Sequence, residues 1–233
     1  MKPGIQHYSF IQASRFVFTT LLTGMGIGLS VSLVASMFVT GLHFFTNHRH
    51  AMEGYFPSLQ IAGGSLVPMI WLICAAFLLW GIRRMFGIAR WHGPADSIFG
   101  AHRLDNEIDV KAGVGSTIAA FVSLSGGASV GQYGPLVHFG ATVGTYIRQS
   151  FKNITIGTDV FIGCGVAAAI AAGFHAPIAG IVFAHEAVLR HFSFRALTPI
   201  AISSITSVWF STAIFGGDPL FALDASATDL LPM

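Results

Sequence analysis

Four glycines and a proline interrupt a long uncharged segment in the sequence Gly126-Gly127-Ala128-Ser129-Val130-Gly131-Gln132-Tyr133-Gly134-Pro135. Residues 112–147 contain no Asp, Glu, Lys or Arg, and this length exceeds the ~20 residues that cross a hydrocarbon core once. Glycine-rich backbone at membrane depth is tolerated only where protein buries it or where it lines a wet cavity. The segment is therefore predicted to form two helices that meet at an intramembrane break.

The break also predicts an anion site made from backbone. Proline suits the first turn of a helix, so Pro135 is predicted to start a half-helix that continues over residues 136–147. A helix N-terminus presents unpaired N–H groups and roughly half a positive charge, and it attracts anions. The candidate backbone donors are Gly131, Gln132, Tyr133 and Gly134. A flexible hinge between two helices is the alternative interpretation of the same glycine cluster.

Composition indicates an integral membrane protein. Hydrophobic residues make up 53% of the 233-residue chain and charged residues 9%, whereas soluble domains contain about 25% charged residues. The length allows about five or six crossing or re-entrant helices. A net charge of +2 gives no reason to expect a nucleic acid partner. Cys74 and Cys164 lie in apolar runs and are predicted to be buried free thiols.

Two motifs resemble the CLC family of chloride channels and chloride/proton exchangers. The sequence from Gly131 to Pro135, with the helix-compatible run to Gly140 behind it, is similar to the family element G-R-E-G-P. The sequence from Gly173 to Phe183, with Glu186 beyond it, is similar to the family segment G-x-x-x-A-P-x-A-G-x-x-F-x-x-E. The resemblance implies an all-α membrane fold of tilted and re-entrant helices, corresponding to the first of two inverted repeats.

The resemblance assigns a gate at Tyr133. The family's gating glutamate corresponds here to this tyrosine, and the second proton-carrying glutamate of the exchangers aligns with Ala187. A phenol does not exchange its proton near neutral pH, although it can hydrogen-bond an anion or block its route. We therefore expect passive conduction of chloride or a similar small anion, without proton coupling.

A weaker match places a third element at Gly93. Gly93-Pro94 stands where the family carries G-S-G-I-P, and the Gly93 backbone is the candidate anion ligand there. Alternatively, Asp96 and Ser97 are N-terminal capping residues of a short helix. In the second CLC-like motif, Pro177 is predicted to start another half-helix.

Polar residues within the apolar runs have structural alternatives. Glu186 is either a functional intramembrane carboxylate or a structural partner of Arg190 at i, i+4 spacing. His138 either contributes a polar contact near the pore or is a packing histidine. The three histidines between Gly41 and His50 invite a metal site, but without a nearby cysteine or carboxylate at helical spacing a solvated loop over 46–64 is favoured.

The whole chain is divided into a cytoplasmic segment over 1–15, a membrane domain over 16–217 and a tail over 218–233. The clearest spans are 16–45, 65–85 and 196–215, and the placement of Lys and Arg puts the N-terminus in the cytoplasm. No nucleophile–base set stands out, so neither an enzyme nor a cofactor is predicted.

The family's inverted-repeat sites require both halves. The expected partners are therefore a small anion, membrane lipid, and a second copy or a complementary second-repeat chain. A degenerate half that acts as a membrane scaffold is the alternative.

Overall fold

The computed structural model describes residues 10–55, 60–61, 64–103, 108–151 and 156–216. These residues form eight α-helices, a π-helical segment and one short hairpin: α1 Phe10–Tyr55, β1 Gln60–Ile61, β2 Gly64–Ser65, α2 Val67–Phe86, α3 Pro94–His102, α4 Val110–Ser125, α5 Tyr133–Ser150, α6 Thr158–Phe174, α7 Pro177–Phe183, the π-helical segment Ala184–Leu189 and α8 Phe194–Phe215. The predicted all-α membrane fold class is confirmed. The predicted tail and the first nine residues lie outside the described part of the chain.

Three helices are long and apolar enough to cross a membrane: Val17–Tyr55, Val67–Phe86 and Phe194–Phe215. Shorter apolar helices lie at 110–125, 158–174 and 177–189. The chain is thus an integral membrane protein that combines three helices long enough to span a membrane with shorter apolar helices, as the break in the uncharged segment predicted.

Helix α6 lies at the centre of the fold. Every residue from Phe161 to Gly173 is buried, because alanines and glycines let neighbouring helices approach its backbone closely. At the crossing with α5, a Cβ atom on Gly165 would overlap the carbonyl of Gly140. Two α8 hydroxyls bond α6 carbonyls, with Ser203 Oγ donating to Cys164 O at 3.0 Å and Ser207 Oγ donating to Ala168 O at 2.8 Å.

Helix α1 packs along α8 through small residues. A Cβ atom on Gly24 would lie 3.0 Å from Pro199 O, and one on Gly28 would lie 2.5 Å from Ser203 O. Ser32 Oγ donates to Ser207 O at 2.8 Å. Small residues thus let the backbones of α1 and α8 approach each other closely at these positions.

Two predictions for the first two spans are wrong. Helix α1 continues to Tyr55 through the polar stretch interpreted as the start of a loop. The stretch contains no proline before Tyr55, and the rings of Phe44 and His48, one turn apart, stack at 6.2 Å. Cys74 is exposed, since α2 buries little of its surface against the rest of the described fold.

Candidate functional site: an intramembrane helix start

Helix α5 begins at Tyr133, with Gln132 as its N-terminal cap residue. Pro135 is therefore the third helical residue rather than the first, so the predicted start is two residues late. The position suits proline, since N–H groups in the first turn have no intrahelical partner. We call residues Gly131–Gly134 the cradle. The backbone N–H groups at the start of α5 have no hydrogen-bond partner within the helix, so they can donate to an anion.

Glycines shape the turn that leads into the cradle. Gly127 has a φ of +100°, a conformation that favours glycine, and the guanidinium of Arg49 occupies the place of its missing Cβ. A Cβ on Gly126 would lie 2.5 Å from Ala75 Cβ. Nothing lies within 4 Å of the Cβ position of Gly131, so the cradle backbone is open to approach on that side.

The ring of Tyr133 lies beside the cradle against the end of α6. Its centroid is 4.1 Å from that of Phe174, with an angle of 30° between the ring planes. A Cβ on Gly173 would lie 2.8 Å from Tyr133 Cε1, so the ring fits only because position 173 is glycine. Tyr133 and Gln132 also line an open groove of about 450 Å³ between α1, α5, α6 and α8.

The start of α3 faces the start of α5. The Cβ position of Gly134 is 3.5 Å from Pro94 Cγ, so the two elements singled out in the sequence are brought together. The N–H of Gly93, however, donates to Asp96 Oδ2 at 2.9 Å, and Asp96 also accepts a hydrogen bond from Arg90. The carboxylate three residues into α3 reaches back to the N-terminal cap, which removes the Gly93 N–H from the candidate anion ligands.

Ser97 does not cap α3 but contacts α5. Its Oγ lies 2.8 Å from His138 Nδ1, and both side chains are 0% exposed. The His92 ring centroid is 5.7 Å from that of His138. His138 Nε2 has no hydrogen-bond partner among the described residues. No sequence signal indicated this pair, because 41 positions separate its members.

The second CLC-like motif starts a helix at the predicted residue, but its carboxylate is not paired as predicted. Helix α7 begins at Pro177, with Ala176 as its N-terminal cap residue, and His175 before it has a φ of 53°. Glu186 is exposed in the π-helical segment, and the ion pairs found among the described residues do not include Glu186 with Arg190. The wider π-helical turn and the left-handed conformation of Arg190 (φ 56°) break the i, i+4 geometry that the predicted pair requires.

Comparisons with known proteins agree with the fold and the motifs. The sequence profile described as "voltage gated chloride channel" matches residues 74–233. A voltage-gated ClC-type chloride channel ClcB of Citrobacter koseri is 25% identical over 88% of this chain and 49% of its own length. The ClcB of Escherichia coli O81 is 27% identical over 70% of this chain and 38% of its own length.

Two solved structures share the fold. The chain resembles a slow cyanobacterial Cl⁻/H⁺ antiporter with a TM-score of 0.72 and 17% identity, over 88% of this chain and 49% of that one. It resembles a CLC-type fluoride/proton antiporter with a TM-score of 0.63 and 22% identity, over 95% of this chain and 53% of that one. The chain spans about half the length of the curated relatives it matches.

Proposed function

Because the chain belongs to the voltage-gated chloride channel family, we propose that it forms one half of an anion pathway that conducts chloride, or a similar small anion, passively. The half-pathway lies in a cell membrane with the N-terminus in the cytoplasm, and it performs no enzymatic reaction. A second half, or a second copy of the chain, completes the pore.

The observation that carries this proposal is the tyrosine at the first position of α5. Tyr133 stands at the helix start that attracts an anion, and its ring packs on Phe174 beside the open backbone of Gly131. The resemblance implies a carboxylate at position 133 in proton-coupled members. A phenol cannot replace it as a proton carrier near neutral pH, so the substitution supports uncoupled conduction.

The build of inverted-repeat sites and an exposed apolar surface both support the need for a second half. Sites at the midplane of inverted-repeat transporters are built from both repeats, and this chain covers 49% of the length of its Citrobacter koseri relative. On α7, Ile178 is 75% exposed and Val182 is 45% exposed. This exposed apolar surface of α7, a helix that begins three residues after Phe174, supports a protein partner there.

Reconstitution into liposomes tests the proposal. The chain is incorporated alone and together with the second half of a ClcB relative, and anion efflux is measured with a chloride or fluoride electrode while a lumenal dye reports pH. We expect electrogenic anion efflux from vesicles that contain both halves, without proton movement in a fixed ratio to the anion.

Each outcome of the experiment decides one part of the proposal. Proton movement in fixed ratio to the anion would overturn uncoupled conduction and align the chain with the two antiporters. An absence of efflux for both anions, with both halves incorporated, would overturn conduction and favour a membrane scaffold. Efflux of fluoride without chloride would reassign the anion.

A further inference from the structure

A buried hydroxyl–imidazole pair joins the two helix starts that face each other at the cradle. Ser97 lies in the first turns of α3 and His138 lies in α5, a little more than one turn beyond Tyr133. The 2.8 Å contact between Ser97 Oγ and His138 Nδ1 is fully buried. Since Gly134 faces Pro94 on the same two helices, this hydrogen bond fixes how one start is placed against the other.

The chain before α3 is anchored independently of this pair. The His92 N–H donates to Ser116 Oγ of α4 at 2.9 Å. Asp96 holds the Gly93 N–H and accepts a hydrogen bond from Arg90. Hydrogen bonds to α4 and within its own first turn therefore fix the start of α3. The hydrogen bond from Ser97 then fixes α5 relative to that start.

Burial makes the pair sensitive to loss of either member. A buried polar group that loses its partner keeps the full cost of desolvation. The remaining ring nitrogen, Nε2, has no partner among the described residues. Nδ1 is thus the atom that connects His138 to α3.

We propose that His138, through Ser97, is a positioning residue that aligns the start of α5 with the start of α3 and thereby sets the anion affinity of the cradle. The alignment itself follows from the hydrogen bond alone. Its effect on anion affinity rests on the proposed function, so the two parts are tested by separate measurements.

Disulfide cross-linking tests the alignment without any anion. The variant Pro94→Cys/Gly134→Cys, in a background with Cys74→Ser and Cys164→Ala, is oxidised in membranes, and cross-linking is followed by thiol-specific mass tagging. We expect Ser97→Ala and His138→Leu to slow cross-linking several-fold. His138→Asn, whose amide occupies the place of Nδ1, is expected to restore the rate, whereas His138→Gln is not.

His102→Gln is the matched control, because His102 is an exposed histidine at the end of α3. Cross-linking at the original rate in both Ser97→Ala and His138→Leu would overturn the alignment. Rescue by Gln instead of Asn would also overturn it, since that result assigns the role to Nε2. If His138→Leu fails to fold, Ser97→Ala still decides, because it removes a single oxygen.

Chloride binding tests the effect on affinity. Line broadening of ³⁵Cl in solutions of the detergent-solubilised chain, co-purified with the second half of a ClcB relative, gives an apparent Kd for each variant. We expect Ser97→Ala and His138→Leu each to weaken binding about 3- to 10-fold, the range of one net hydrogen bond, whereas His138→Asn and His102→Gln are expected to keep the original affinity.

The two experiments separate two kinds of failure. Unchanged affinity in variants whose cross-linking is slowed would overturn the effect on anion binding. If the unmodified chain together with its second half causes no broadening, the proposed anion function fails, while the cross-linking result still decides the alignment.

Discussion

At the scale of single residues, the candidate gate depends on a small neighbour. The ring of Tyr133 occupies space that a Cβ at position 173 would fill, and it stacks on Phe174. The sequence motif assigned Tyr133 its place at the helix start, whereas the contact with Gly173 joins residues from different helices. A gate of this kind blocks the anion by the volume of the ring. Removal of the whole ring is therefore expected to have a different effect from removal of the hydroxyl alone.

Tyr133→Ala is expected to increase anion efflux, because it removes the ring that lies beside the cradle. Tyr133→Phe keeps the ring and is expected to leave efflux within about twofold of the original rate. The measurement is the electrode assay on vesicles that contain both halves. A large rise in Tyr133→Phe would contradict a steric gate, since it would show that the hydroxyl restrains the anion.

Gly173→Ala displaces the same ring without altering it. The added Cβ would lie 2.8 Å from Tyr133 Cε1, so the ring must move, at a cost of about 1–3 kcal/mol of stability, typical of overpacking. We expect faster efflux together with a lower midpoint in SDS-induced unfolding. If both quantities stay at their original values, the ring is not held by Gly173.

At the scale of helices, α6 is the element on which the others pack. Its alanine-rich surface lies directly against neighbouring helices, and every residue from Phe161 to Gly173 is buried. The partners could not be predicted, because a uniformly small surface accepts any helix. Hydrogen bonds from the serines of α8 and close backbone contacts at the glycines of α5 determine which helices pack on α6.

Gly165→Ala is expected to be strongly destabilising, because the new methyl would overlap the carbonyl of Gly140. A cost of several kcal/mol is the expected size when backbone opposes the added atom. Gly26→Ala is the matched control, since nothing lies within 4 Å of that Cβ position and alanine favours a helix. Unfolding in SDS compares the two, and equal effects would contradict the close α5–α6 crossing.

Ser207→Ala removes a buried bond between helices, from Ser207 Oγ to Ala168 O. The expected loss of unfolding free energy is about 0.6 kcal/mol, the average for such bonds in a membrane protein. Ser30→Ala is the control, because exposed Ser30 bonds Gly26 O of its own helix. A loss in Ser30→Ala as large as in Ser207→Ala would show that the effect is not specific to the α6–α8 contact.

At the scale of the whole molecule, the described fold leaves apolar surface exposed on α7. Lipid exposure explains such a surface on a peripheral helix such as α2, but α7 begins beside the proposed anion pathway. We interpret it as the face that a second half covers, which agrees with the chain spanning about half the length of its relatives.

Ile178→Cys is expected to react with a small maleimide in the chain alone and to be protected when a second half is co-expressed. Its 75% exposure in the isolated fold is the physical reason. Gly54→Cys is the control, because its Cβ position has nothing within 4 Å and it lies near the far end of α1. Equal labelling of Ile178→Cys with and without the partner would contradict this interface.

The sequence by itself determined the membrane class, the helix break after Gly126 and a helix start within Gly131–Pro135, whereas the structure moved the first helical residue from Pro135 to Tyr133. These features depend on local chemistry, since glycine, proline and a lack of charge act through the chain that carries them. The tertiary structure decided that Asp96 occupies the Gly93 N–H, that Ser97 bonds His138, and that Glu186 does not pair with Arg190. Each of these outcomes depends on a backbone turn or a neighbour brought close by folding, which spacing along the chain does not specify.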